Sequence, residues 1–443
     1  MTLIVGAGPT GLTLAIDLLR RGISTRIIDA SPTPFAGSRG KGLQPRTLEV
    51  FDDLGVIDDI IAGGGIYPKF RYHLGPFSLR MGGLATTKPA TESVPYPNAW
   101  MVPQARTEAI LRKRLEALGG MVEFGTALTG FVQTADGVEA TLSTGETVRA
   151  AYLVGADGGH STVRKTLGLK LEGETIDDAP RVVADLEIEG LSRAEWHVFP
   201  FAKGGMFILC PLAKTELFQF IAAKTTADLG IESVVRRATG CRVSRVVWSS
   251  AYQPSVRMVR QYRVGRVFLA GDAAHIHPPA GGQGLNTGMQ DAYNLGWKLA
   301  AVVQGAPGIL LDTYEEERLP IAAAVLGLSK QLHVTRSRKR GEATQQLLLN
   351  YRGSSLSSGA SFGTLQPGDR MPDARLDDGS RLFDHLRGPH ATELETPDGT
   401  RILIRPDGYI GWIGLSDETP PAGIEAGMAT KAVRSSLRIA GQA

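Results

Sequence analysis

Apolar positions along the chain change period several times, and the changes divide it. Residues 2–5 form a short continuous apolar run, 12–21 repeat at helical spacing, and 24–28 form a second β-type run ending at Asp29. Together they predict a β-α-β unit of about 30 residues. Helical spacing returns at 47–54 and 106–118, with an irregular stretch rich in Gly, Pro and Thr over 63–96 between them. Short alternating runs at 128–134, 138–142 and 147–150 predict a β-meander, and 152–154 reads as a buried strand. Over 180–260 the period is near two, at 182–188, 196–200, 206–210, 216–222 and 243–252, with one helix at 229–239. Buried-strand character resumes at 267–270, before a Gly/Pro-rich loop and helices at 288–303 and from Asp312, the latter expected to kink at Pro320. Beyond Gly353 the sequence is loose, and only 401–415 reads as an ordered hairpin, turning at Asp407-Gly408. The pattern predicts an α/β fold whose parallel strands come from separated parts of the chain, with a β-rich domain inserted.

Composition sharpens this. The 443 residues include 54 Gly, about 12% against a usual share of roughly 7%. With 42% apolar and 21% charged residues the chain is neither disordered nor fibrous. Its 48 Lys+Arg nearly balance 45 Asp+Glu, so nucleic acid is not an expected partner, and the basic run at 336–340 (RSRKR) reads as a solvated helix face. Cys210 and Cys241 stand alone, no apolar run reaches membrane-span length, and no charged region precedes the apolar start. The expectation is a soluble cytoplasmic protein without a membrane partner, either a monomer or a homodimer.

Three glycine-rich segments carry the chemistry. Gly6-Ala7-Gly8-Pro9-Thr10-Gly11 lies between strand and helix. In such a motif the first Gly makes a tight turn, the second admits a pyrophosphate, and the third lets helix and strand pack closely. Asp29, 18 residues after Gly11, is placed to accept from a ribose hydroxyl. The second segment runs from Gly155 to Arg164 (GADGGHSTVR), and its plain reading is a strand followed by a helix N-cap. In the third, Gly271-Asp272 ends a strand and Pro278-Pro279-Ala280-Gly281-Gly282-Gln283-Gly284-Leu285-Asn286 leads into a helix. Such a loop brings bare backbone near a flat ligand, and the helix start favours negative charge on it. His275 and His277 lack a third ligand at useful spacing, so no metal is expected.

In this order and at these separations the segments resemble the class A flavoprotein monooxygenases, the p-hydroxybenzoate and phenol hydroxylase group. RGKGLQPRTLEVFDDL (39–54) and VPQARTE (102–108) fit the same pattern, and the resemblance covers residues 1–330. Its wording is most similar to actinomycete hydroxylases of aromatic polyketides and related antibiotic-modifying enzymes. The resemblance implies a discontinuous Rossmann-like FAD-binding domain. Gly6, Gly8 and Gly11 would hold the FAD pyrophosphate, Asp29 the adenosine ribose, and Arg39 the pyrophosphate region, with Arg46 either a second cation there or a helix-end charge. Gln104 and Asp272 would bind the ribityl chain. The Leu285 and Asn286 amides would face the flavin ring, with Gly284 beside them. Asp157 and His160 lie in a motif used near both FAD and NAD(P)H. Pro279, Gly282 and Asn286 would form the catalytic loop. The implied reaction uses NADPH or NADH and O2 to hydroxylate a bulky, polycyclic, polyketide-like aromatic through a flavin C4a-hydroperoxide. Alternatives are a Baeyer–Villiger oxygenase or antibiotic-inactivating enzyme of the same fold, and a non-catalytic flavin or aromatic-ligand binder.

On this reading residues 1–70, 100–175 and 262–350 form the FAD-binding domain, 71–99 and 176–261 the substrate-binding β domain. Trp196, Phe199, Phe207, Leu209, Phe218, Phe220 and Trp100 are the substrate candidates, and Tyr67, Tyr72 and Tyr96 could line the entrance. Residues 351–443 resemble a shortened thioredoxin-like region. It lacks CxxC, so it is expected to serve packing rather than redox chemistry.

Overall fold

The computed structural model describes residues 1–177, 179–335, 341–421 and 429–435; the basic run at 336–340 lies outside them. The strands Thr2–Val5, Thr25–Asp29, Val122–Phe124, Tyr152–Gly155 and Val267–Leu269 form a parallel sheet, closed by the short antiparallel strand Arg263–Val264. Thr2–Val5 is central and fully buried, which is why its four residues are a continuous apolar run rather than an alternating one. The helices Pro9–Arg20 and Gly284–Val303 share the core with this sheet through Leu12, Leu14, Ile16, Met289, Ala292 and Leu295. The expected meander is present as a three-stranded antiparallel sheet.

A second, seven-stranded sheet runs in the order Arg242–Tyr252, Arg181–Glu189, Leu217–Ala223, Phe207–Pro211, Glu195–Phe199, Lys69–Leu74, Phe77–Met81. Its last two strands correct the irregular reading of 63–96. Lys69–Leu74 pairs in parallel with Glu195–Phe199, a contact between distant segments that local pattern does not reveal. One face of this sheet is covered by the helix Ile231–Thr239, whose Val234 and Val235 pack on it. The other face meets residues 35–41 of the parallel-sheet unit: Phe35 stands edge-on to Trp248 at 5.2 Å, and Arg39 Nη2 donates to Ser250 Oγ at 3.1 Å.

Two further expectations are revised. The helix Asp312–Val334 continues through Pro320. The tail is more ordered than its composition suggests, because its hairpin, Thr400–Ile404 with Ile410–Leu415, recruits Ser358–Gly359, Ala391–Glu395 and Thr430–Arg434 into a five-stranded sheet. That sheet buries its own core of Leu376, Leu382, Leu394, Ile402, Ile404 and Ile410. Among the described residues, no helix is long and apolar enough to cross a membrane.

Candidate functional site

The first glycine motif separates into packing and open space. Gly6 has φ +103°, and a Cβ there would lie 2.3 Å from the Ala156 carbonyl oxygen, where the second motif crosses. A Cβ on Gly11 would lie 1.9 Å from the Gly6 carbonyl oxygen. A Cβ on Gly8 would meet nothing within 4 Å. No side chain caps the helix that Gly8 begins, so its first amides and positive end remain available to a phosphate. Asp29 is held beside this opening by the amides of Ala7 (2.7 Å) and Ser31 (2.8 Å). Gln104 accepts from the Gly40 amide and donates to Glu108 Oε1, both at 2.9 Å. Burial pushes the Glu108 carboxyl up to about 7, against hydrogen bonding from Gln104 and the nearby Arg112.

The second motif serves mainly as structure. Asp157 accepts from Ser161 Oγ and from the amides of Thr162 (2.7 Å) and Val163 (3.1 Å), so its carboxylate caps the following helix. His160 is exposed. Arg164, not singled out from sequence, is the useful member: its guanidinium reaches the carbonyls of Gly159 (2.8 Å) and Ala273 (3.1 Å) and joins the second motif to the third.

In the third motif the Asp272 side chain is exposed. Desolvation by the protein packed around it still pushes its carboxyl up, and His275 and Arg39 draw it partway back. Gly281 and Gly282 take φ of +88° and +64°, which aims the loop into the helix Gly284–Val303, again with no side-chain cap. Pro279 is exposed at its start, and a Cβ on Gly284 would crowd His277 at 3.3 Å. The Asn286 side chain is committed: Nδ2 donates to the carbonyls of Gly42 and Gly282, and Oδ1 accepts from the Gln44 amide, all at 2.8 Å. Its backbone amide, like that of Leu285, lies in the first helical turn, where no intrahelical acceptor exists. A Cβ on Gly40 would press on Leu285 at 2.8 Å, so the 37–43 segment runs directly over this helix start. His275 is paired with buried Asp291 at 2.6 Å, which Arg318 also binds at 2.8 Å.

An open cradle at Gly8, an accessible carboxylate at Asp272, and two uncapped helix starts are the features FAD requires, and the residues present fit it. Arg46 is a correction. It is buried, bound to Glu49 Oε2 (2.8 Å) and the Asp407 carbonyl (2.6 Å), and stacked on Tyr409, so it ties in the tail.

Five substrate candidates are also corrected. Phe199, Phe207, Leu209, Phe218 and Phe220 point to the helix-covered face of the seven-stranded sheet and form its core with Val234 and Val235. Trp196 alone of that group lies on the opposite face, stacked with Tyr67 at 5.9 Å. Trp100 donates its indole N–H to the Ile61 carbonyl (3.3 Å) and packs against the parallel-sheet core. What sequence reading missed are the polar residues in register on the seam face, Asp185 and Gln219, and Lys41 that meets them. A lone polar residue inside an apolar strand was the available signal.

Comparison with known proteins places the chain in a family. Residues 1–329 match the FAD binding domain family. The chain is 46% identical to a flavin-dependent monooxygenase of Mycobacteroides abscessus, over 95% of this chain and 98% of that one. It is 33% identical to a rifampicin monooxygenase of Streptomyces venezuelae, over 93% and 95%. Among solved structures, the anhydrotetracycline hydroxylase of Streptomyces rimosus superposes with a TM-score of 0.73 at 31% identity, covering 95% of this chain and 96% of that one. The chain therefore belongs to the FAD binding domain family and is one of its flavin-dependent monooxygenases.

Proposed function

We propose that this enzyme hydroxylates a bulky, polycyclic aromatic substrate, with NADPH or NADH as reductant and O2 as the oxygen source. The observation that carries the reading is the meeting of the motifs: a Cβ on Gly271 or on Gly288 would lie 2.6 Å from Thr10 Oγ1, which brings together the Gly8 opening, exposed Asp272 and the uncapped helix that starts at Gly284. Support for the substrate class comes from relatives named for rifampicin and anhydrotetracycline.

On this reading the parallel-sheet unit is the FAD-binding domain, the seven-stranded sheet the substrate domain, and 351–443 a reduced thioredoxin-like region. Backbone at Gly6, Gly8 and Gly11 receives the pyrophosphate, Asp29 the ribose, and Gln104 and Asp272 the ribityl chain. Arg39 stands at the exposed rim with charge to offer a phosphate. The Leu285 and Asn286 amides stabilise negative charge on the flavin ring, because preoriented dipoles need no reorganisation when that charge develops. Carbonyls of the rigid Pro278-Pro279 turn orient a substrate hydroxyl. When bound, FAD supplies the redox chemistry and the oxygen activation; the protein orients, holds charge and excludes water.

The purified protein should be yellow, and a phenolic polycycle should accelerate its NADPH oxidation with one oxygen added at a ring carbon. A colourless protein, or NADPH consumption that no aromatic in a broad panel changes, overturns the reading.

A further inference from the structure

The seam between residues 35–41 and the seven-stranded sheet holds a polar cluster that the FAD-binding groups leave unexplained. Lys41 stands between two glycines that touch the flavin-side helix. A Cβ on Gly40 would meet Leu285 and Gln104, and the Gly42 carbonyl accepts from Asn286. The Lys41 side chain turns instead to the sheet. Its Nζ donates to Gln219 Oε1 and stands 5.0 Å from the centroid of the Trp196 ring. Gln219 is fixed by donating its own Nε2 to the Ser38 carbonyl. Asp185 and Cys210 are the cross-strand partners of Gln219 on either side, so the cluster occupies one transverse row of the sheet.

Two members of this surface are incomplete. Asp185 is fully buried and faced by the Ser38 hydroxyl and amide, yet neither carboxylate oxygen meets hydrogen-bond geometry, and Trp196 Nε1 also lacks an acceptor. Buried polar atoms are rarely left unpaired, and a missing ligand is one reason for such atoms. Lys41 is only half-buried, and an ammonium has three donors where Gln219 takes one.

We propose that Lys41 is the base for this enzyme's aromatic substrate: its Nζ takes the proton of a phenol or enol hydroxyl and then pairs with the oxyanion. The O–H bond breaks, an N–H bond forms, and the electron pair stays on oxygen, where it activates the ring toward electrophilic oxygen. Asp185 is a positioning residue whose negative charge supports the ammonium once formed. The electrostatics agree with the geometry. Burial lowers the Lys41 ammonium from its ordinary range, which makes the neutral amine available, while the Asp185 carboxylate opposes the shift. Burial pushes Asp185 up to about 6, opposed by Ser38 and Lys41. The Cys210 thiol, pushed up to about 11 by burial, is neutral at working pH. Arg193 acts on Cys210 from the same sheet, and Arg39 and Asp272 are charged groups of the adjoining segments.

This inference rests on the aromatic hydroxylase reading, and its test separates the two. The probes are 1,8-dihydroxyanthraquinone, which absorbs further to the red when ionised, and unsubstituted 9,10-anthraquinone, each titrated into FAD-loaded enzyme across pH. Wild-type enzyme should bind the dihydroxy probe as its anion at a pH where the free probe is neutral. Lys41→Met, with flavin content as its folding check, should lose that red shift. It should also bind the dihydroxy probe roughly tenfold or more weakly, with affinity for anthraquinone unchanged. Asp185→Asn should move ionisation of the bound probe to higher pH. A Lys41→Met enzyme with the wild-type red shift and affinity overturns the inference and leaves the hydroxylase reading standing. Wild-type enzyme that binds the dihydroxy probe in neutral form also overturns it, a result that needs no variant. Wild-type enzyme that binds neither probe overturns both.

Discussion

Gly8 and Gly11 sit three positions apart in one motif and lack side chains for different physical reasons. At Gly11 the space is filled, since a Cβ would lie 1.9 Å from the Gly6 carbonyl oxygen and would push the helix off the strand. At Gly8 the backbone (φ −71°, ψ −178°) suits any residue and the space is empty. Gly11→Ala should therefore lower the stability of the apoprotein by about 1–3 kcal/mol, the usual cost of overpacking. Gly8→Ala should melt with wild-type apoprotein and yet retain at least tenfold less FAD, because its methyl group occupies the phosphate approach. Thermal melts paired with flavin absorbance check both. A Gly8→Ala protein that keeps its flavin would remove this position from the cofactor site. The motif spacing made these roles legible in the sequence. Arg46 was misread because a cation near a phosphate motif and a cation bound to a distant carbonyl look alike until Asp407, 361 positions later, is brought beside it.

At the scale of elements, strand positions were legible and strand faces were not. Each strand from 181 to 223 alternates, but both of its faces are covered: one by the helix Ile231–Thr239, the other by residues 35–41. When both faces are buried, aromatic residues mark the thicker core rather than the ligand side. The pattern Phe218-Gln219-Phe220 shows this, with both rings in the helix-covered core and the amide on the seam. Phe220 is fully buried and packs 5.5 Å from Phe207. Phe220→Ala should cost about 3–5 kcal/mol of stability through the cavity it leaves. Below its melting temperature, KM for an aromatic substrate should be unchanged. Chemical denaturation and steady-state kinetics separate the two effects, and a raised KM without loss of stability would return Phe220 to the substrate site.

The whole molecule is held to its tail by charge buried between units. Arg405 of the tail hairpin is fully buried, with its guanidinium on Glu317 of the helix Asp312–Val334 and on Asp407. Glu317 also receives Lys298 Nζ at 2.7 Å and Asn294 Nδ2 at 2.7 Å, both from the helix whose opposite end carries Leu285 and Asn286. The Arg405 and Lys298 cations hold Glu317 below the usual carboxylate range despite its burial. The loose composition beyond Gly353 concealed this, since the ion pairs join residues 88 positions apart. Such a network, once formed, is costly to break: removing one partner leaves charge buried without its counter-ion, at about 3–5 kcal/mol. Arg405→Met should therefore destabilise the entire chain in one cooperative transition, although it lies in the last hundred residues. Because one helix spans from the network to the Leu285 and Asn286 amides that we propose stabilise the flavin, flavin should be released within the same transition. Calorimetry of the flavin-loaded enzyme, followed by flavin fluorescence, measures both. A separate low-temperature transition that leaves flavin bound would instead show that the tail is an independent unit, resting on the enzyme without holding it together.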